Sequence, residues 1–424
     1  MSKTVKLAEC FKPPHLTYMK KRYLSLDVLR GLTVAFMCIV NNPGSWSHVY
    51  APLRHTTWMG CTPTDLVYPF FIFCMGCAMA FSLSKYDGLT KEATWKIFKR
   101  GIAIFLVGLL LNMLPFFPTS PHDDTWSFGQ NYLYWLDHKR IFGVLQRIGL
   151  SYILAGVIAL WLKKPLKIMC AIVVMCGLYT GILVAFGNYP GPFTLEGNVS
   201  RKIDVALVGS NHVYHGYHYS RDYVVSQELM DNHTVIADDD HISTRADFDP
   251  EGPLGAMTGA CTALLGFLIG SMILRSSRRH AKDPSSMKDA PSYLVSRIFV
   301  SSVVCLVIGE ILSIWIPISK PLWSASYVFF AGGWAMLVLA FFAFLLDVKG
   351  DAKAFTPLIA MGTNPLVAFV NCALLVTIIG FTGWDHSVTF GANNFTSLVY
   401  AILFMLVIFS IQWILYKKKI VIKL

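Results

Sequence analysis

Charge is scarce in this sequence. Asp, Glu, Lys and Arg make up 14% of its 424 residues, where a soluble domain carries roughly a quarter. That excludes a soluble globular domain of this length. A disulfide framework is also missing: most of the ten cysteines lie inside apolar stretches, where a free thiol acts as a small hydrophobe, and only Cys61 is expected near the outer face. No short apolar stretch followed by small residues precedes the first long one, so no cleavable leader is expected and the first span serves as anchor and targeting signal. His212, His215 and His218 recur every three residues between tyrosines, but no cysteine or zinc-type spacing accompanies them. No metal is expected.

What is abundant is apolar. Residues of the AVILMFWYC set reach 54%, in blocks of about 17–25, the length a helix needs to cross a bilayer. They predict spans near 24–42, 64–84, 96–114, 141–161, 168–186, 252–273, 294–316, 323–347, 356–380 and 397–416. The reading is an all-α polytopic membrane protein of about ten transmembrane helices, with a large external loop between spans five and six. Residues 1–23 form a cytoplasmic segment, 24–186 a first five-helix half, 187–251 an external cap loop, 252–416 a second five-helix half and 417–424 a basic cytoplasmic tail.

The formal charge of +11 fits this topology. Lys20, Lys21 and Arg22, then Lys96, Lys99 and Arg100, then Arg275, Arg278 and Arg279, and finally Lys417 to Lys419 all fall on one side. The bias toward basic cytoplasmic loops accounts for the excess, both termini are placed in the cytoplasm, and nucleic acid is not an expected partner.

Polar groups inside spans cost a few kcal/mol and mark the places to search for function. Asp27 and Arg30 share a helical face; they serve either as a structural ion pair or, through Arg30, as the reception point for an anionic ligand. Asn41 and Asn42 end the first span, His55 sits in the following loop, and Asp65 opens the second span. An imidazole, an amide donor and a carboxylate are the parts of an acyl-transfer site, although Thr62-Pro63-Thr64-Asp65 also reads as a helix start. Gln146 and Arg147 in the fourth span, Glu310 in the seventh, and Asn364 and Asn371 in the ninth are read as lining a cavity or as bonding between helices, with Glu310 a candidate partner for Arg147.

Several stretches resemble a known family. Arg22-Tyr23-Leu24-Ser25-Leu26-Asp27-Val28-Leu29-Arg30-Gly31-Leu32-Thr33-Val34-Ala35 is similar to the opening motif of transmembrane acyltransferases related to heparan-α-glucosaminide N-acetyltransferase. Val40-Asn41, His55-Thr56-Thr57-Trp58-Met59-Gly60 and Asp65-Leu66-Val67-Tyr68-Pro69 continue the resemblance. So do Gly143-Val144-Leu145-Gln146-Arg147, Asp249-Pro250-Glu251-Gly252, Leu322-Trp323-Ser324-Ala325-Ser326-Tyr327 and Gly362-Thr363-Asn364-Pro365-Leu366.

The resemblance implies transfer of an acetyl group from cytoplasmic acetyl-CoA to the amino group of a terminal glucosamine across the membrane. It puts catalytic roles on His55, Asn41 and Asp65 in loop 41–65. Acetyl-CoA contacts fall on Arg30, Gln146, Arg147 and Asn364, and acceptor contacts on Trp58, Glu251 and Trp323. It favours a bacterial inner membrane and is compatible with a homodimer. An O-acyltransferase of envelope glycans and a sugar transporter are the competing functions. Hydropathy puts His55 outside, whereas acetyl-CoA is too anionic to cross lipid. Either segment 41–63 folds back into the bundle, where irregular backbone is tolerated beside a polar cavity, or an enzyme group carries the acetyl.

Overall fold

A computed structural model describes residues 23–214, 218–219, 235–238, 241–245, 247–286, 290–350 and 352–422. His215 and Tyr217 of the histidine-rich stretch lie outside them.

The chain folds as a helical bundle. Its elements are α1 (Leu24–Val40), α2 (Val67–Leu83), α3 (Lys91–Asn112), α4 (Phe128–Asp137), α5 (Val144–Leu162), α6 (Pro165–Phe186) and α7 (Val199–Val208). Then come α8 (Gly255–Lys282), α9 (Pro291–Ser313), α10 (Ala325–Ala343), α11 (Thr356–Thr363), α12 (Pro365–Phe381), α13 (His386–Phe390) and α14 (Asn394–Lys417). Between α7 and α8, β1 (His218–Tyr219), β2 (Val235–Asp238) and β3 (His241–Arg245) form a small antiparallel sheet in the order β1-β3-β2.

Local chemistry sets the helix starts. Thr90 and Asn393 accept backbone N–H groups at the heads of α3 and α14, and proline occupies the first turn of α6, α9, α11 and α12, where its missing N–H costs nothing. The middle of the bundle is α2 against α8, flanked by α5 and α10. The large apolar side chains of α3, α6, α9 and α14 remain exposed on the outside, as lipid-facing helices require.

Among the described residues, seven helices are long and apolar enough to span a membrane: Pro63–Leu83, Val144–Leu162, Pro165–Phe186, Gly255–Lys282, Pro291–Ser313, Ala325–Val348 and Asn394–Lys417. The sequence leads one to expect about ten. The other three regions are also helical, but each departs from a plain span. Helix α1 has 17 residues and carries Asp27 and Arg30. The first half of α3 carries Lys91, Glu92, Lys96, Lys99 and Arg100. The region expected as one continuous helix at 356–380 is instead two helices, α11 and α12, meeting at 79°. Pro365 explains the break: it offers no N–H and disfavours helical backbone at Asn364. Asn364 therefore sits at a corner, and Asn364 and Asn371 do not share the face of one helix.

Backbones touch at the centre. A Cβ on Gly76 would stand 1.9 Å from the Ala263 carbonyl oxygen, and one on Gly266 would stand 2.1 Å from that of Phe73. Small residues of this kind let membrane helices approach closely. Gly266→Val should thus force α2 and α8 apart and lower stability by about 1–3 kcal/mol or more, read as a fall in the melting temperature of the purified protein in detergent. An unchanged melting temperature would contradict this packing.

Candidate functional site

Asp65 organises the loop between α1 and α2. Its carboxylate is fully buried, and each oxygen has its own set of donors. Oδ2 accepts the backbone N–H of Thr56 (3.1 Å), the Thr56 hydroxyl (3.0 Å) and the backbone N–H of Thr62 (3.1 Å). The Thr62 hydroxyl lies equally near, but its one proton has a shorter partner in the Arg54 carbonyl (2.7 Å). Oδ1 is 2.7 Å from Nδ1 of His55. An ionised carboxylate can only accept, so in its pairing with Oδ1 the imidazole donates Nδ1–H, and this tautomer leaves the Nε2 lone pair for chemistry.

A second loop, between α9 and α10, is zipped onto the first. The Gly60 N–H donates to the Ile318 carbonyl (2.7 Å), and the Ser319 hydroxyl donates to the Trp58 carbonyl (2.8 Å). Tyr327, at the head of α10, donates its hydroxyl to the Asp65 carbonyl (2.6 Å). This zipper carries Lys320 to the site: its Nζ is 3.0 Å from His55 Nδ1 and 3.5 Å from Asp65 Oδ1. Burial pulls the Lys320 ammonium below the ordinary amine range, opposed by the Asp65 and Glu251 carboxylates. Sequence reasoning missed Lys320. Its only signal is a lone basic residue two positions ahead of the Leu322-Trp323 motif.

One cavity of about 1560 Å³ joins this site to the basic end of the bundle. Asn41, His55, Thr64, Glu251 and Lys320 line one end, and Arg30, Lys96, Arg100, Arg278 and His280 line the other. Tyr68, Phe71, Met75 and Ile148 line the stretch between them. Helix α1 gives the scale. Asp27 and Asn41 both line the cavity, and a helix rises 1.5 Å per residue, so the cavity extends about 21 Å along it. Ordinary ligand pockets reach about 1,000 Å³; this one has room for an elongated ligand and a second, smaller one.

The remaining candidates fall in different places. Arg30 pairs with Asp27 (3.1 Å) while facing the cavity. Asn364 lines the basic end, where its amide donates to the Ile420 carbonyl and accepts the Ile422 N–H, both at 2.9 Å. Gln146 and Arg147 do not line the cavity. Gln146 donates to the Ile141 carbonyl (2.9 Å), and Arg147 reaches the Gly252 carbonyl (3.4 Å) with its guanidinium 5.2 Å from the Trp323 ring. Glu310 is exposed on α9 and is not the partner of Arg147. Trp58 is buried, donating to the Phe193 carbonyl (2.7 Å) with its ring edge on Phe248. Trp323 is buried behind the cavity wall, 4.7 Å from Tyr68, and donates to Thr262. His212 contacts the Lys139 carbonyl at 2.7 Å.

Glu251 does line the cavity, held from behind by Arg140. Arg140 also grips Asp249 through two bonds, of 2.9 and 2.6 Å. Burial works against the Arg140 charge, but Glu251 and Asp249 hold the guanidinium above its ordinary value. Asp204 lies behind this cluster, where burial and the neighbouring Asp249 carboxylate push its carboxyl up to about 8.

Comparison with known proteins finds one family model and two relatives of the same description. Residues 22–198 match the family model described as heparan-alpha-glucosaminide N-acetyltransferase, catalytic. That stretch includes Asn41, His55, Asp65 and Arg140. The chain is 28% identical to heparan-alpha-glucosaminide N-acetyltransferase of Homo sapiens over 397 residues, which is 84% of this chain and 53% of the relative. It is 25% identical to the Mus musculus protein of the same name over 462 residues, 97% of this chain and 62% of the relative. The chain thus spans between about half and three-fifths of the length of these relatives.

Asp204 predicts a pH dependence. The folded protein keeps this carboxyl protonated to about pH 8, whereas the unfolded chain releases the proton near pH 3.9. The folded state binds the extra proton between those values, so this group lowers stability as pH rises from about 4 through about 8. Asp204→Asn should flatten the fall in melting temperature between pH 5 and pH 8.5; an unchanged slope would contradict it. Separately, Arg140→Met leaves two buried carboxylates without their cation and should cost about 3–5 kcal/mol, measured by unfolding in denaturant.

Proposed function

We propose, on the premise that this chain is heparan-α-glucosaminide N-acetyltransferase-like, that it is a transmembrane acetyltransferase. In this reading it moves an acetyl group from acetyl-CoA to the amino group of glucosamine or a glucosamine-terminated saccharide. The supporting observation is that one cavity is lined at one end by a basic cluster and at the other by the Asp65-oriented His55.

Acetyl-CoA is multiply anionic at its nucleotide and nearly uncharged along its pantetheine arm. The basic end, with Arg30, Lys96, Arg100 and Arg278, suits the phosphates. The apolar middle suits the arm. The thioester then approaches His55 without the nucleotide leaving the basic end, so segment 41–63 needs no deep insertion of its own. The basic end faces the cytoplasm by the charge bias of the loops, and His55 with Glu251 faces the far side. A bacterial inner membrane fits this orientation.

His55 acts as general base through Nε2 and removes a proton from the acceptor ammonium, which Glu251 attracts to that end of the cavity. The free amine attacks the thioester carbonyl. A C–N bond forms, the C–S bond breaks, and the imidazolium returns its proton to the leaving thiolate. Asn41 offers its amide to the oxygen that becomes negative in the intermediate. In a stepwise variant of the same geometry, Nε2 attacks first and carries the acetyl group.

His55→Ala should lower turnover by about 10²–10⁴ while acetyl-CoA still binds, measured with labelled acetyl-CoA and a panel of amino sugars. Full turnover by His55→Ala excludes either role for the imidazole. Transfer to hydroxyls alone would indicate an O-acyltransferase, and accumulation of sugar in proteoliposomes without acetylation would indicate a transporter.

A further inference from the structure

We propose that Lys320 is a positioning residue that serves as the counter-ion of Asp65, so that His55 meets its acceptor as an uncharged base. The inference deepens the acetyl-transfer reading and rests on it for the role of His55, though its experiment does not need turnover.

Nδ1 of His55 has two polar neighbours, Asp65 Oδ1 at 2.7 Å and Lys320 Nζ at 3.0 Å. A single ring nitrogen cannot donate to one and accept from the other at once. Oδ2 of Asp65 is already taken by Thr56 and Thr62, so Oδ1 is where both the imidazole and the ammonium must settle their charge. If Lys320 balances the carboxylate, the group of three is neutral with an uncharged ring. Without Lys320, the buried carboxylate would have His55 as its nearest cation. Burying Asp65 unpaired costs too much, so the ring would take up a proton and lose its function as a base.

Surrounding groups do not supply the charge instead. Cys61 faces Lys320, and burial pushes its thiol up to about 12, so it stays neutral. Glu251 faces Lys320 from the loop before α8, but its own cation is Arg140. Arg54 turns away, its Nε donating to the Val49 carbonyl at 2.7 Å. The hydrogen bonds that place the Lys320 loop come from Gly60, Ser319 and Ser324 and do not use the lysine side chain. Substitutions at Lys320 should therefore leave the loop in position.

The test reads the ring directly. Diethyl pyrocarbonate modifies uncharged imidazole, and the extent of modification at His55 can be followed by mass spectrometry from pH 5 to pH 9. In Lys320→Gln the modification rate at pH 6 should fall about tenfold relative to wild type, as loss of a charge 3.0 Å from the ring implies. It should recover to the wild-type rate at high pH. Lys320→Arg should retain the wild-type curve. Coincident curves for Lys320→Gln and wild type overturn the proposal, as does a Lys320→Arg curve displaced as far as that of Lys320→Gln. If Lys320→Gln does not fold, Lys320→Met and the Lys320→Arg curve decide by the same criteria. Should the curves shift as expected in a protein that transfers no acetyl group, the acetyl-transfer reading fails and the counter-ion role stands.

Discussion

The buried carboxylate of Asp65 is the constraint on which the site depends. A carboxylate with no exposure must find donors for both oxygens, and the chain supplies them from Thr56, Thr62, His55 and Lys320. Satisfying it folds the loop from Thr56 to Thr62 back on itself and turns His55 so that Nε2 stays free. The backbone of the same residue accepts Tyr327 from α10. Two parts of the chain far apart in sequence, residues 41–66 and 314–327, are thereby fixed to each other at the cavity's end. The Gly60–Ile318 and Ser319–Trp58 bonds reinforce the junction.

In the proposed reading, the cavity bridges a distance: an anionic donor held at one face and an acceptor at the other would have to meet within hydrogen-bond reach of one base. Helix α1 spans that distance with Arg30 near one end and Asn41 at the other. Close backbone approach at Gly31, where a Cβ would meet the Leu358 carbonyl at 1.8 Å, packs α1 against α11. The bend at Pro365 leaves Asn364 at the basic mouth, holding the backbone at Ile420 and Ile422.

How much was legible in the sequence follows from the range of each signal. Hydropathy is local and strong, so nine of the ten predicted spans coincide with single helices and the tenth with a bent pair, though seven helices among the described residues are long and apolar enough to cross a membrane; the charged α1 and α3 differ from the others for reasons visible in their residues. The kink in 356–380 was also local, but a membrane span tolerates proline often enough that Pro365 alone did not announce a 79° bend. His55, Asn41 and Asp65 could be singled out because they lie within 25 positions of one another, in three consecutive stretches that carry the resemblance. Lys320 could not: it meets His55 only because a loop 265 residues away is zipped onto the first. Burial was equally hidden. Trp323 and Arg147 sit in matching motifs, yet they pack on each other behind the wall, and Glu251 lines the cavity while paired with Arg140, 111 residues away in the chain.

The most direct test of the account separates the two ends of the cavity. The protein is reconstituted in sealed vesicles of one orientation, with labelled acetyl-CoA on the side of the basic loops and glucosamine on the other. The account predicts N-acetylated sugar on the glucosamine side, with free CoA remaining where acetyl-CoA was added. Product formed only when both substrates share one side would contradict a single cavity through which the acetyl group crosses.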